Sequence, residues 1–365
     1  MVILPLNNTL NNIFLRQLLT RTKEKILIFG TNKHICMEFR TKIHITPSTG
    51  FITHRHSILL LGSCFSENIG SRLQKYKFDV DINPFGTLYN PESIAQGLEK
   101  LIDREYMQEN ELFVHGNLWH SFCHHSRFSH TDKLKALNEM NRRMGYAIER
   151  LKRTQRLLIT WGTAYAYYHE PENKVVANCH KLPEREFMRR LLTIDEITDR
   201  WLSLTEKIHT LFPDMEIVFT VSPIRHLRDG AHDNQLSKST LLLSVDRLCK
   251  ERKFCRYFPA YEIMMDDLRD YRFYDADMTH PSSLAIDYIW EQFSLAYFDK
   301  TTSELIDIWS RLQKSLQHRP LTPDTEAYRE FMRKNLKKMK LLQEKYPYLD
   351  LTKEISETNS IICSI

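Results

Sequence analysis

Two short stretches hold residue types that can do chemistry together. The first is Gly62-Ser63-Cys64, which follows the apolar run Ile58–Leu61 and precedes a helical rhythm at Ile69, Leu73 and Tyr76. A buried strand, a glycine turn and a helix opening set a hydroxyl and a thiol beside unpaired amide donors. The second is Asp277-Met278-Thr279-His280-Pro281. An imidazole takes a proton from a nucleophile, and a carboxylate fixes its tautomer and stabilises the imidazolium. Each stretch also has a plainer reading. Ser63 is a preferred helix cap, Cys64 a small buried apolar residue, and Asp277 with His280 a surface pair before a helix that opens at Pro281.

The elements around these stretches alternate. Phe39, Ile43 and Ile45 suggest an edge strand over Glu38–Ile45. Further strands are expected at 58–61, 78–82, 156–159, 215–221 and 255–258, with a small hairpin around His115-Gly116-Asn117 and a short extended stretch near Val175. Helices are expected from the Gly62-Ser63-Cys64 turn to about Tyr76, over Ile94–Ile102 with Ser93 as cap, from Asp132 to about Lys152, over Ile194–Leu211 and Ser237–Lys250, and from Ala285 to about Phe298. Helices between apolar strands mean an α/β, three-layer sandwich: a mostly parallel central sheet covered on both faces, followed by a C-terminal helical tail. Ligands in such sheets lie at the carboxyl ends of the strands. The loops after Leu61, Ile82, Ile159 and Val221 are therefore the ones to inspect, with the loop before the last core helix. Residues 37–310 read as this α/β domain and 311–365 as the tail. Residues 1–36 read as an extension, with translation expected to start at Met37.

Composition narrows the class. The chain has 365 residues, a net charge of +5 and 27% charged residues, with one dense basic cluster at 333–340 that fits the solvated face of a helix. Nucleic-acid binding is not favoured. The seven cysteines are scattered with no CxxC pair, as in a cytoplasmic protein with reduced thiols. No stretch approaches the ~20 apolar residues of a membrane span. No cofactor motif is present. His120, His124, His125 and His130 invite a metal reading, but no Glu stands between His120 and His124 as in a zinc helix, and no metal is assigned.

Gly62-Ser63-Cys64-Phe65-Ser66 resembles the signature of the GSCFA family, with Ser in place of the final Ala. The resemblance continues through Asn83-Pro84-Phe85-Gly86, His125-Ser126, Asn178-Cys179-His180-Lys181, Ser222-Pro223-Ile224-Arg225-His226, Tyr257–Glu262 and Leu268–Arg272, and covers about Met37 to Phe298. The family is a branch of the SGNH/GDSL hydrolase superfamily, which implies an SGNH/flavodoxin-like fold and an ester hydrolase or acyltransferase, with acylated carbohydrates among the expected substrates. It implies a nucleophile at Ser63 or Cys64, His280 as base and Asp277 as orienter. The oxyanion hole falls to the Cys64 amide, Gly86 and, where the superfamily has an asparagine, Thr163. Losing one such donor costs about 2.7–4 kcal/mol of transition-state stabilisation. His125, Ser126, His180 and Arg225 are candidate substrate-side groups. The partner expected is a small-molecule or carbohydrate ester, with no nucleic acid and no membrane. The alternatives are a ligand-binding domain that kept the fold without catalysis, and a metal-dependent enzyme using the histidine-rich loop.

Overall fold

The computed structural model describes residues 40–318 and 325–364. The expectations for residues 1–36, for the start at Met37 and for the first residues of the edge strand lie outside that range. Five strands form one parallel sheet: β1 (Ser57–Gly62), β2 (Asp79–Ile82), β5 (Thr154–Trp161), β9 (Glu216–Val221) and β10 (Cys255–Phe258). Their spatial order is β10-β9-β5-β1-β2. The chain lays down its first two strands outward, returns to the other side of β1 with β5, and continues in that direction. The switch point of the topology is thus the crevice between the carboxyl ends of β1 and β5, where open α/β sheets bind ligands.

The period-two alternation of β1 creates the three layers. Leu59 and Leu61 join one buried cluster with Leu157, Ile159, Ile217 and Phe219. That face is covered by α2 (Pro91–Asp103), α3 (Lys133–Leu151), α4 (Ile194–Leu211) and α5 (Gly230–Glu251). Ile58 and Leu60 join a second cluster with Leu158 and Val218, covered by α1 (Cys64–Lys75) and α6 (Ser283–Tyr297). The hairpin is present as β3 (Leu112–His115) and β4 (Leu118–Ser121). A second antiparallel sheet, not anticipated, joins β7 (Lys174–Val176), β6 (Tyr165–His169) and β8 (Phe187–Leu191).

The C-terminal helices are α7 (Lys300–Leu316), α8 (Glu326–Lys345) and α9 (Thr352–Ser364). They share a smaller core of Leu305, Trp309, Leu312, Met339 and Leu342. Trp309 Nε1 donates to Lys75 O at 2.9 Å, which ties this layer to the end of α1. Helix α7 runs through residue 310.

Two expectations need correction. The described part of the proposed edge strand, residues 40–45, is irregular. Its neighbours explain why: Ser48 N donates to Ala296 O and Ile52 N to Tyr297 O, so the segment is fastened to the end of α6 and not to a sheet edge. Ile43 and Ile45 still find apolar cover against the second cluster. Ser93 is not the cap of α2. Asn90 is, accepting from Ser93 N at 2.8 Å, and Pro91 starts the helix where its missing N–H costs nothing.

Candidate active site

Gly62 closes β1 at φ +139°, and a Cβ there would stand 2.2 Å from Thr160 O of the neighbouring strand. Glycine alone permits this turn. Its amide donates to Asn83 Oδ1 at 2.9 Å and its carbonyl accepts from Leu88 N at 3.0 Å, so the loop after β2 is fastened across the end of β1. The Asn83-Pro84-Phe85-Gly86 stretch is a turn in which Gly86 N donates to Asn83 O at 2.8 Å.

Ser63 and Cys64 then part ways. Ser63 is fully buried; its amide donates to Thr160 O and its Oγ accepts from Phe65 N at 3.3 Å as the helix cap. Cys64 is the first residue of α1 and is half-buried. The Tyr89 side chain is the thiol's aromatic neighbour, and the two groups act on each other's ionisation. Burial pushes the Cys64 thiol up from its ordinary value, aided by Glu67 one turn along, while its own amide, Tyr89 and Lys238 pull it down. Burial also holds Tyr89 as a protonated donor, pushed up to about 12.

The other amides at the crevice are committed. Gly162 N and Thr163 N both donate to Tyr89 O, at 2.7 and 3.1 Å. Thr163 Oγ1 bonds Ser237 Oγ at 3.0 Å and accepts from Tyr165 N. Of the three expected oxyanion donors, Gly86 and Thr163 therefore spend their amides within the chain, and Cys64 N stands at the helix start. Tyr89, which neighbours the thiol, is the residue of the crevice that sequence reasoning missed. The ring of His226, at the end of the loop after β9, meets Tyr89 edge-on with centroids 5.7 Å apart.

Asp277 and His280 sit on one exposed turn. Asp277 Oδ2 accepts from His280 Nδ1 at 2.5 Å, and Oδ1 accepts from the amides of Thr279 and His280 at 2.9 Å. Those bonds, led by the His280 amide, hold the Asp277 carboxyl well below its ordinary range. The turn adjoins the loop after β9, since Arg225 N donates to Thr279 O at 3.3 Å. Hydrogen bonds pair Asp277 with His280 but neither with Ser63 nor with Cys64.

The remaining candidates have local partners. His125 caps a short turn by accepting from Arg127 N, and its Cβ lies against Gly86. Ser126 Oγ accepts from Asn178 Nδ2 at 3.2 Å. His180 is buried, with Nε2 bonded to Ser121 O at 2.8 Å and its ring 4.4 Å from that of His120. Burial lowers His180 to about 4 and His124 to about 3, so both are neutral packing groups. The Arg225 charge acts on the Tyr274 hydroxyl, which donates to Met265 Sδ at 3.8 Å. Among the described residues no group of three His, Cys, Asp or Glu side chains is placed to hold a metal ion. No described helix is long and apolar enough to cross a membrane.

The GSCFA family model matches residues 57–293, and the model of the GSCFA domain protein, C-terminal domain matches 309–362. The chain belongs to the GSCFA family. Its namesake turn is Gly62–Ser66, so the family name is written across the end of β1 and the start of α1. No curated protein matches the chain. Among solved structures, a Clostridium thermocellum family 3 carbohydrate esterase is similar at 11% identity and a TM-score of 0.31, over 70% of this chain and 98% of that one. A likeness of that size carries no argument about this GSCFA protein's chemistry.

Proposed function

We propose that this GSCFA protein is an ester hydrolase or acyltransferase of SGNH/GDSL type that uses Cys64 as nucleophile. The observation that carries the reading is the division of labour in the turn. Ser63 is sealed under the helix start with its Oγ spent on the cap, whereas Cys64 is partly exposed at the end of β1 beside β5 and has Tyr89 as a neighbour. The Cys64 S–H proton passes to a base at the crevice, and Sγ adds to the ester carbonyl, forming a C–S bond as the carbonyl opens to an oxyanion. The oxyanion is met by Cys64 N–H and Tyr89 O–H. The C–O bond then breaks, and the alcohol leaves with a proton from protonated His280, whose Nδ1 is held by Asp277. Neutral His280 next takes a proton from water or an acceptor hydroxyl, which attacks the thioester and releases Sγ. Arg225 beside the dyad is a candidate contact for the leaving group. Esters of small molecules and acylated carbohydrates are the substrate class to test.

A second reading has its own support. With the Gly86 and Thr163 amides committed, the site has fewer oxyanion donors than the superfamily pattern, which suits a ligand-binding domain of the same fold. A panel of p-nitrophenyl and acetylated-sugar esters with wild type, Ser63→Ala, Cys64→Ala and His280→Ala separates the two. Turnover lost in Cys64→Ala and kept in Ser63→Ala is expected. Turnover that survives Cys64→Ala removes the nucleophile, and no turnover of any ester by wild type favours the binding domain.

A further inference from the structure

The most unusual side chain in the molecule is Lys238. It occupies a core position of α5, in step with Asn234, Leu241, Val245 and Leu248, and it is fully buried. A buried ammonium is costly unless it is paired and hydrogen-bonded. Yet among the described residues it meets no carboxylate. Nζ donates to Gly162 O at 2.7 Å and to Ser222 O at 2.8 Å, the carbonyls that follow β5 and β9 at their carboxyl ends. The Tyr261 ring lies 5.5 Å away. Cys64 stands at the same end of the sheet: Gly62 is in register with Thr160 and Ser63 N donates to Thr160 O, so α1 begins beside the Gly162 carbonyl that Lys238 holds, and the thiol and the amine act on each other's ionisation.

This arrangement has a specific valence. A neutral amine carries two N–H bonds and one lone pair, and both N–H bonds are accounted for by the two carbonyls. What remains is a site for one proton, beside the thiol of Cys64.

We propose that Lys238 is the proton acceptor of Cys64, so that the crevice alternates between a thiol–amine and a thiolate–ammonium pair. The S–H bond breaks and a third N–H bond forms, directly or through one water. No net charge enters the pocket, and the two carbonyls stabilise the ammonium. When the thioester C–S bond breaks, the departing thiolate can recover that proton. Burial lowers Lys238 to about 7, which keeps the amine poised near neutrality. The other groups facing the pair are Tyr89 and Glu67 on the thiol side, His226 against Tyr89, and Tyr261 with Arg225 beyond it. Lys238 acts here through Cys64, as a positioning residue for its proton. The catalytic consequence rests on the reading of Cys64 as nucleophile, whereas the pair itself does not.

The test therefore uses thiol reactivity and no ester. Cys64 alkylation by iodoacetamide is followed by peptide mass spectrometry from pH 5.5 to 10 in the full chain, as wild type, Lys238→Met and Lys238→Arg. Lys238→Met is expected to raise the midpoint by at least about one pH unit, which is about a tenfold loss of rate below both midpoints. Lys238→Arg, which keeps a cation, is expected not to raise it. A Cys64 profile unmoved in folded Lys238→Met overturns the proposal. Should Lys238→Met fail to fold, the Nζ resonance of labelled Lys238 is titrated in wild type and Cys64→Ser. Its midpoint must fall when the thiolate is removed, and an unmoved midpoint overturns the pairing. A shifted alkylation profile without turnover of any ester keeps the pair and removes the hydrolase reading. Turnover lost in Cys64→Ala, with alkylation unmoved in Lys238→Met, does the reverse.

Discussion

The crevice at β1 and β5 and the turn at Asp277–His280 are built by opposite means. The crevice is assembled from four distant parts of the chain. Gly62, Asn83, Tyr89, Gly162 and Lys238 are held by strand ends, by main-chain bonds and by a core helix. The Asp277 turn is assembled from itself: Asp275 N donates to His280 O, Met278 N to Asp275 O, and the Asp277 carboxylate takes two amides and an imidazole. Both of its working side chains are about half exposed. The difference teaches that the nucleophile's position is a property of the sheet, while the acid–base pair is a property of a short local sequence. Damage to the first should cost folding and chemistry together, and damage to the second chemistry alone.

The sharpest break of this contrast is Gly62→Ala. A positive φ and a 2.2 Å clash with backbone combine strain and overpacking, and a loss of about 3 kcal/mol or more in urea denaturation is expected. A loss under about 1 kcal/mol would show that the sheet does not fix the turn. His280→Ala is the counterpart on the exposed side. Turnover should drop by about 10²–10⁴ with the thermal midpoint unchanged, and a large fall in that midpoint would erase the distinction. Tyr89→Phe lies between, because the main-chain bonds from Gly162 and Thr163 survive and only the hydroxyl goes. A drop of about 10² in kcat, the scale of one oxyanion donor, is expected with little loss of stability. Ser63→Ala should cost about 1 kcal/mol as a lost cap and leave turnover in place. The smallest effect concerns acid. The Asp277 carboxyl lies below its unfolded value, so its stabilising contribution is present above the ordinary carboxylate range and fades as pH falls through it. Asp277→Asn should therefore flatten the acid limb of stability slightly, and a steeper limb would contradict the bonds described.

The same contrast explains what could be read from the sequence. Gly62, with four apolar residues before it and a helical rhythm after it, announces its turn locally, and the five parallel strands follow from their apolar runs. Asp277 and His280 are three residues apart, so their pairing was legible too. Tyr89 was not: it stands in an irregular loop, and its meeting with Cys64 depends on how that loop crosses the end of β1. Lys238 left a signal that went unused. A lysine in step with Leu241, Val245 and Leu248 lies on the buried stripe of its helix, and a charged residue there has to answer to something inside. The second antiparallel sheet was missed because Tyr165–His169 and Phe187–Leu191 pair across a long excursion, which period alone does not reveal. Phe39, Ile43 and Ile45 misled in the other direction, since apolar residues can line an irregular segment that binds a helix end.

The two carbonyls that hold Lys238 have a consequence for how the chain acquires reactivity. Gly162 and Ser222 follow strands that must each be in place before either oxygen has an amine to receive, and β1 must already lie beside β5 for Cys64 to face them. Pairings this far apart in sequence form slowly and late. If the pair forms as described, a chain still at the ribosome before Lys238 emerges carries an ordinary cysteine at position 64, and so does a refolding chain whose sheet is incomplete. Pulse alkylation during refolding would then find Cys64 acquiring its native pH response together with the last strand pairing. The partnership of thiol and amine would then exist only in molecules that have finished folding.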